Sequence, residues 1–338
     1  MGYINVANEN FGAATYSGAN FNEIFLQPVF TDEDIMSNYR VIPNVRHKMN
    51  LYTADEMKCI VQSYDGCDDT DYVGKDFNVN IKTLTAGRMR VALEQCQDEF
   101  FGTYIEESYR AGLDVFNLSG TDLMSTIMTN VKRGITNDLV KLAWFGDTAI
   151  ASGDTQECLN STDGFVKLLT AAGNNVTWAN GLPSVADSAV AIMRDLMENA
   201  SAALNATPSN EKCIWISPAN YWNFVESVEG GLSGVGGDVA HTTLVNGKPT
   251  YFFRGIEVRP MFSWDEAMTL NTQFTGSQLC VYAAKKNFVL GTDTTSPDNE
   301  LKFWYDEYRE KMIIRSYFKF GCQYVHDDLV SWAFRADS

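Results

Sequence analysis

Residues 122–145 read DLMSTIMTNVKRGITNDLVKLAWF, and their spacing predicts one long helix. Leu123, Ile127, Val131, Ile135, Leu139 and Leu142 recur at steps of three and four residues, with Met124 and Met128 beside them. Ser119, Thr121 and Asp122 are capping candidates before the stripe, and Gly146 is a stop signal after it. At a rise of about 1.5 Å per residue the helix would run roughly 36 Å, long for a globular domain and suited to a spine across a flat subunit. Gly134 falls in its middle, where glycine costs about 1 kcal/mol relative to alanine. It reads either as a tolerated glycine or as a bend point.

Outward from the spine, the pattern changes period. Toward the N-terminus, residues 57–90 suggest a long β-hairpin. Residues 57–63 are the first strand candidate, and Phe77, Val79 and Ile81 alternate onto one face of the second. The connection over 64–74 is polar and rich in turn residues. Residues 90–111 read as helical. Residues 1–50 read as an arm, rich in Asn, Gly and aromatics without a sustained period, with a short helix at 31–38 that Thr31 would cap and Asp34 would support.

Toward the C-terminus, a second helix is expected from 183–184 to about 205. Ser184 is its cap, Asp187 stands at the capping-box position, and Ala189, Ile192, Met193, Leu196 and Met197 form its apolar stripe. Residues 212–217 form a short buried strand, and a helix follows Pro218. A glycine-rich loop spans 230–237, and strands are expected at 250–253, 256–260, 278–284 and 288–290. The last stretch is an aromatic hairpin, 301–306 against 311–324, with Ile314, Phe318 and Phe320 on one face and Arg315, Tyr317 and Lys319 on the other. The class is α+β.

Composition bounds the function. With 338 residues and 45% hydrophobic content, the chain can fill one or two cores. Its formal net charge of −17 disfavours sequence-specific binding to DNA or RNA and would keep free subunits soluble. The first ten residues carry neither a basic region nor an apolar core, so no signal peptide is expected, and no apolar run approaches the roughly 18 residues of a membrane span. The aromatic residues, 20 Phe, 15 Tyr and 7 Trp, concentrate partly in the arm and the C-terminal hairpin, where they could anchor subunit contacts.

No motif carries chemistry. Cys59, Cys67, Cys96, Cys158, Cys213, Cys280 and Cys322 show no C-x-x-C spacing, and the three histidines His47, His241 and His326 are isolated, so neither a zinc site nor another metal site is expected. Reduced, mostly buried thiols are the default, although Cys59 and Cys67 are near enough in sequence to bridge. The glycines of 230–237 are followed by Asp238 rather than Lys-Ser or Lys-Thr, which excludes a P-loop, and Val239 breaks the dinucleotide pattern. Asp65, Asp68, Asp69 and Asp71 do not match a calcium loop and read as a solvated hairpin tip. His326 precedes Asp327 and Asp328, but no G-x-S-x-G serine accompanies it. No catalytic residue and no cofactor-binding residue is assigned.

Four segments together resemble the major capsid proteins of tailed bacteriophages, the Hong Kong ninety-seven fold. Ile214-Trp-Ile-Ser-Pro-Ala-Asn-Tyr-Trp resembles the strand, Ser-Pro and helix of that family's axial domain. Tyr251-Phe-Phe-Arg-Gly-Ile-Glu-Val-Arg-Pro-Met resembles the strand pair that follows. Asp163-Gly-Phe-Val-Lys-Leu-Leu-Thr-Ala-Ala-Gly is similar to the segment after the spine helix, and Cys280-Val-Tyr-Ala-Ala-Lys-Lys-Asn-Phe-Val-Leu-Gly-Thr-Asp to the strand closing the axial domain. Their order over roughly 50–330 carries the resemblance; none is specific alone.

The resemblance implies an N-terminal arm (1–50), an extended hairpin loop (51–96), a peripheral domain (97–183 and 301–338) with its spine helix at 119–146, and an axial domain (184–300). It implies a non-enzymatic subunit that self-assembles as hexamers and pentamers into an icosahedral virion capsid around double-stranded DNA, in the cytoplasm of a host bacterium. Separate scaffolding and portal proteins would be partners, with room for a decoration protein, and membranes would not. Some relatives crosslink Lys to Asn between subunits; Lys75 and Lys82 lie in the hairpin, and the sequence shows no partner for them, so no crosslink is assigned. Two rivals stand beside this reading: an encapsulin-like nanocompartment shell, which shares the fold, and a soluble α+β enzyme of unrelated fold.

Overall fold

The computed structural model describes residues 38–54, 61, 79–96, 122–151, 157–173, 175–178, 185–229, 240–245, 248–270, 278–293, 302–306 and 311–335. In chain order the strands are β1 (Arg40–Ile42), β2 (Lys48–Ala54), β3 (Val79–Thr85), β4 (Gly87–Cys96), β5 (Asn175–Thr177), β6 (Lys212–Ile216), β7 (Ala240–Val245), β8 (Lys248–Phe253), β9 (Ile256–Pro260), β10 (Gln278–Ala284), β11 (Phe288–Thr292), β12 (Lys302–Asp306), β13 (Lys311–Tyr324) and β14 (Val330–Arg335). The helices are α1 (Asp122–Phe145), α2 (Phe165–Ala172), α3 (Ser188–Glu198), α4 (Ala202–Ala206), α5 (Pro218–Glu229) and α6 (Ser263–Leu270).

Three sheets organise these elements. A seven-stranded sheet runs β5-β14-β10-β6-β9-β8-β7, and a five-stranded sheet runs β1-β11-β13-β12 with β4 also paired to β13. Strands β2 and β3 form a separate two-stranded ribbon. The central strands β6 and β10 are buried along their whole length, as continuous apolar runs covered on both faces must be. One face of the seven-stranded sheet packs on α3 and α5 around Ile192, Met193, Leu196, Phe224 and Tyr282. The other face, through Trp215, Leu279 and Val281, shares a core with the end of α1.

The spine helix is continuous from Asp122 to Phe145, through Gly134. A Cβ at Gly134 would meet nothing within 4 Å, so this glycine answers no packing need. The last turns are a different matter. Leu139, Leu142, Ala143, Trp144 and Phe145 are all buried. Trp144 stands at the meeting point of both sheets, with ring centroids 5.3 Å from Phe165, 6.0 Å from Trp215, 4.8 Å from Trp264 and 5.3 Å from Phe288. Its Nε1–H donates to the Tyr39 hydroxyl at 3.0 Å. Tyr39 stacks on Phe165 in turn, which fastens the segment before β1 to the same cluster.

Gly146 does end the spine, but not as a left-handed cap. Its backbone and that of Gly164 touch: the Gly164 N–H donates to the Gly146 carbonyl at 2.7 Å. A Cβ on Gly164 would come within 2.6 Å of the Trp144 carbonyl oxygen, and one on Gly146 within 2.6 Å of the Leu142 oxygen. The turn after the helix is further pinned by charge. Lys167 reaches both Asp147, which is 1% exposed, and Asp163, each at 2.6 Å. Burial pulls the Asp163 carboxyl upward, but hydrogen bonds from Lys167 and Thr148 outweigh it and hold the group below the usual carboxylate range.

Two expectations are corrected. Residues 90–96, read as the start of a helix, belong to strand β4, which pairs with β13 in register from Lys311↔Cys96 to Phe320↔Gly87. Tertiary pairing overrides local propensity there; residues 97–111 lie outside the described residues. The helix expected from 184 to 205 is two helices. Asn199 ends α3, and Ser201 caps α4 by accepting from the Leu204 N–H at 3.0 Å. Asp187 precedes α3 with a φ of 63° and makes no cap; its carboxylate accepts from Ser227 instead. Ser184, the expected cap, lies outside the described residues, as do residues 31–37 of the short arm helix.

The remaining strand assignments from 212 onward hold, and β13 buries Ile314, Phe318 and Phe320 while Arg315 and Tyr317 face out. Residues 57–63, read as the first hairpin strand, lie outside the described residues apart from Val61. The strand that pairs with β3 is β2.

Trp144→Ala is expected to cost about 3–5 kcal/mol, because it empties the centre of the aromatic junction. Gly134→Ala is expected to stabilise by up to about 1 kcal/mol, whereas Gly164→Ala is expected to destabilise by about 1–3 kcal/mol through backbone overlap. Urea unfolding of the three variants measures the contrast.

Candidate assembly surface

The sequence candidates for chemistry do not converge. His47 and His326 are exposed and His241 lies on β7. The His326 backbone, not its ring, is held: its N–H donates to Asn287 and its carbonyl accepts from the Asn287 amide. Asp327 is committed elsewhere, to Lys82. Cys213, Cys280 and Cys322 are buried, and Cys158 is exposed. Burial pushes the Cys213 thiol up to about 12 and the other two higher, so these three are neutral packing groups rather than thiolates. Asp65, Asp68, Asp69 and Asp71, Cys59, Cys67 and the glycines of 230–237 lie outside the described residues. Among the described residues, no three His, Cys, Asp or Glu side chains gather as metal ligands do.

What the fold does present is an extended ribbon with a rigid root. Leu51, Leu84, Ala86, Val45 and Val289 form a small core between the ribbon and the five-stranded sheet. Leu84 packs over Gly291, where a Cβ would stand 2.5 Å from its Cδ2. Lys82 adds a polar fastening. Its ammonium pairs with Asp327 at 2.7 Å and sits 3.6 Å from the centre of the Tyr324 ring. Burial pulls Asp327 upward, but hydrogen bonds from Lys82 and Tyr324 outweigh it and hold the carboxyl below its ordinary range. The Gln323 amide donates to the Thr83 carbonyl beside it.

The ribbon's outer face is polar near its start, where Lys48 stands opposite Thr85 and Asn50 opposite Thr83, and apolar at the end that leads to residues 55–78. Tyr52 stands opposite Ile81, and Ala54 opposite Val79. Tyr52 is 66% exposed, Ile81 57% and Val79 47%. The alternation of Val79 and Ile81 onto one face was legible in the sequence; that this face points away from the body was not. A two-stranded ribbon is marginal by itself, and an apolar cross-strand patch on one marks a contact surface. Trp222 on α5 and Phe262 after β9 are exposed in the same way.

No protein-family profile and no curated relative matches the sequence. Solved structures do match along nearly the whole chain. A chain of the satellite phage P4 procapsid aligns with a TM-score of 0.54 at 6% identity, covering 94% of this chain and 97% of that one. The capsid of the Myoviridae phage XM1 aligns at 0.54 and 10% identity, covering 89% and 90%. A chain of Mycobacterium phage Adephagia aligns at 0.51 and 11% identity, covering 90% of each. The fold is that of a tailed-phage capsid shell. The α+β class read from the pattern of elements and the Hong Kong ninety-seven fold expected from the four segments therefore hold, at identities too low for the likeness to be visible residue by residue.

Asp327→Asn is expected to weaken hydrogen-exchange protection across 79–85 and to cost about 0.5–1 kcal/mol, since the ion pair is part-exposed. The fastening is complete above the ordinary carboxylate pKa of about 4 and is lost as pH falls through the lower folded value. Protection factors across 79–85 should therefore drop on acidification in the unsubstituted protein and change little in Asp327→Asn. Equal drops in both proteins would argue against the fastening.

Proposed function

We propose that this chain is the major capsid protein of a tailed phage, copies of which form hexamers and pentamers and close an icosahedral shell around double-stranded DNA. The observation that carries the reading is the near end-to-end match with chains of phage procapsids and capsids at TM-scores of 0.51 to 0.54. The exposed apolar patch at the end of the ribbon supports it independently, because a free monomer gains nothing from Tyr52 and Ile81 in solvent. No catalytic step belongs to this reading.

The division of labour follows the proposed regions: an arm (1–50) and hairpin loop (51–96) that grip neighbours, a peripheral region (97–183 and 301–338) built on α1, and an axial region (184–300). On this reading α1 is the spine and the β2–β3 ribbon is the root of the hairpin loop. Each contact need only be modest. Heterologous contacts repeated around five- and six-fold positions close on themselves, and many simultaneous weak contacts multiply into a stable particle. The subunit would be made in the bacterial cytoplasm, with scaffolding, portal and decoration proteins as the expected partners and the virion capsid as its destination.

Negative-stain electron microscopy of the purified protein is expected to show closed shells of uniform size. A lone monomer at all concentrations, or shells that package a protein cargo instead of DNA in the producing cell, would overturn the proposal. Deleting residues 1–30 is expected to leave a folded subunit that forms few shells; wild-type shell yield from that truncation would remove the arm from the mechanism.

A further inference from the structure

We infer that the outer face of the β4–β13 ladder is a docking surface for acidic residues of a second copy of this chain. The ladder's register makes that face cationic. Arg88 stands opposite Lys319, Arg90 opposite Tyr317, and Ala92 opposite Arg315. Arg88, Arg90, Arg315 and Tyr317 are exposed, while Met89 and Phe318 between them turn inward.

This concentration runs against the composition. The chain holds 43 acidic residues against 26 Lys and Arg, yet one sheet face gathers basic residues side by side. Like charges directly opposite on neighbouring strands destabilise a sheet, so the Arg88 and Lys319 arrangement costs the isolated subunit something. Lys319 is offset by Asp293 at 3.2 Å, and Lys311 at the far end by Glu94 at 2.9 Å. Arg88 and Arg90 face outward on the same ladder.

The complement is in the same sequence. Before Arg40 there is no Lys or Arg, but there are Glu9, Glu23, Asp32, Glu33 and Asp34. Between β2 and β3 stand Asp55, Glu56, Asp65, Asp68, Asp69, Asp71 and Asp76 against Lys58 and Lys75. Subunits with a net charge of −17 repel at long range, and a basic face supplies an orientation in which approach is favourable. The inference rests on the shell-subunit reading and names one contact within it.

The test measures self-association by sedimentation velocity for the full chain and three variants, at about 50 mM and about 500 mM salt, a range over which screening changes strongly. Arg88→Glu with Arg90→Glu is expected to weaken association about tenfold at low salt and much less at high salt. Adding Asp32→Lys with Asp34→Lys, or Asp68→Lys with Asp69→Lys, is expected to restore association to within about threefold in at least one combination. Circular dichroism confirms that each variant folds. Wild-type association in the arginine variant overturns the inference, as does weakening that neither acidic reversal rescues. Normal association combined with lost retention of duplex DNA on a filter also overturns it, in favour of a nucleic-acid face. If wild-type protein forms shells and the variants do too, only this contact fails. If wild-type protein forms small discrete oligomers that obey the charge swap, the contact stands and the shell reading falls. No wild-type association at either salt sinks both.

Discussion

The burial of Trp144 is the constraint on which the junction of the spine helix with both large sheets depends. It lies at the last turn of α1, yet its neighbours come from α2, β6, α6 and β11, so a single side chain ties the spine to both large sheets. Aromatic rings in tilted and edge-on contact fill such a junction with large apolar area and little conformational freedom. The one polar atom of the indole is answered by Tyr39, and that bond brings the N-terminal side of β1 into the same core. A long helix anchored at one end by so dense a cluster behaves as a beam rather than as a packed layer.

Close backbone approach reinforces that anchorage. Gly146 and Gly164 let the chain double back directly beneath the helix end, and the Lys167 bridge to Asp147 and Asp163 ties the return in place. A buried carboxylate such as Asp147 is costly unless paired, so the bridge is a requirement of the turn and not an ornament on it. The rigid junction is what allows the outlying parts to be thin. The β2–β3 ribbon rests on a core of five residues and one lysine fastening, and it carries its apolar face outward. On the shell-subunit reading, stiffness at the junction and exposure at the ribbon are complementary: the first fixes direction and the second supplies the grip.

Charge sets a second constraint. A strongly acidic chain stays dispersed, and any specific contact between copies must overcome repulsion. The sheet face that bears Arg88 and Arg90 departs from the average in the direction such a contact needs. Neither residue is notable in the sequence, because period-two spacing across β4 and pairing with β13 are what bring scattered cations together.

The sequence by itself determined the local periodic elements. The helical spacing from Leu123 to Leu142, the apolar runs at 212–216 and 278–284, and the alternation in 314–320 are each set within a few residues, so a local reading suffices. It also determined the excess of acid and the absence of any recognisable catalytic motif. What it could not determine was anything set by partners distant in the chain. Residues 87–96 became a strand because β13, more than two hundred residues away, offers a ladder. The helix at 188–206 broke because a serine could cap a second start. The aromatic junction joins Tyr39, Trp144, Trp215, Trp264 and Phe288, and the ribbon's outward face follows from how Leu51 and Leu84 lie on the sheet. Long-range pairing and packing decide those features, and their energies are properties of two surfaces at once, which no single stretch of sequence contains.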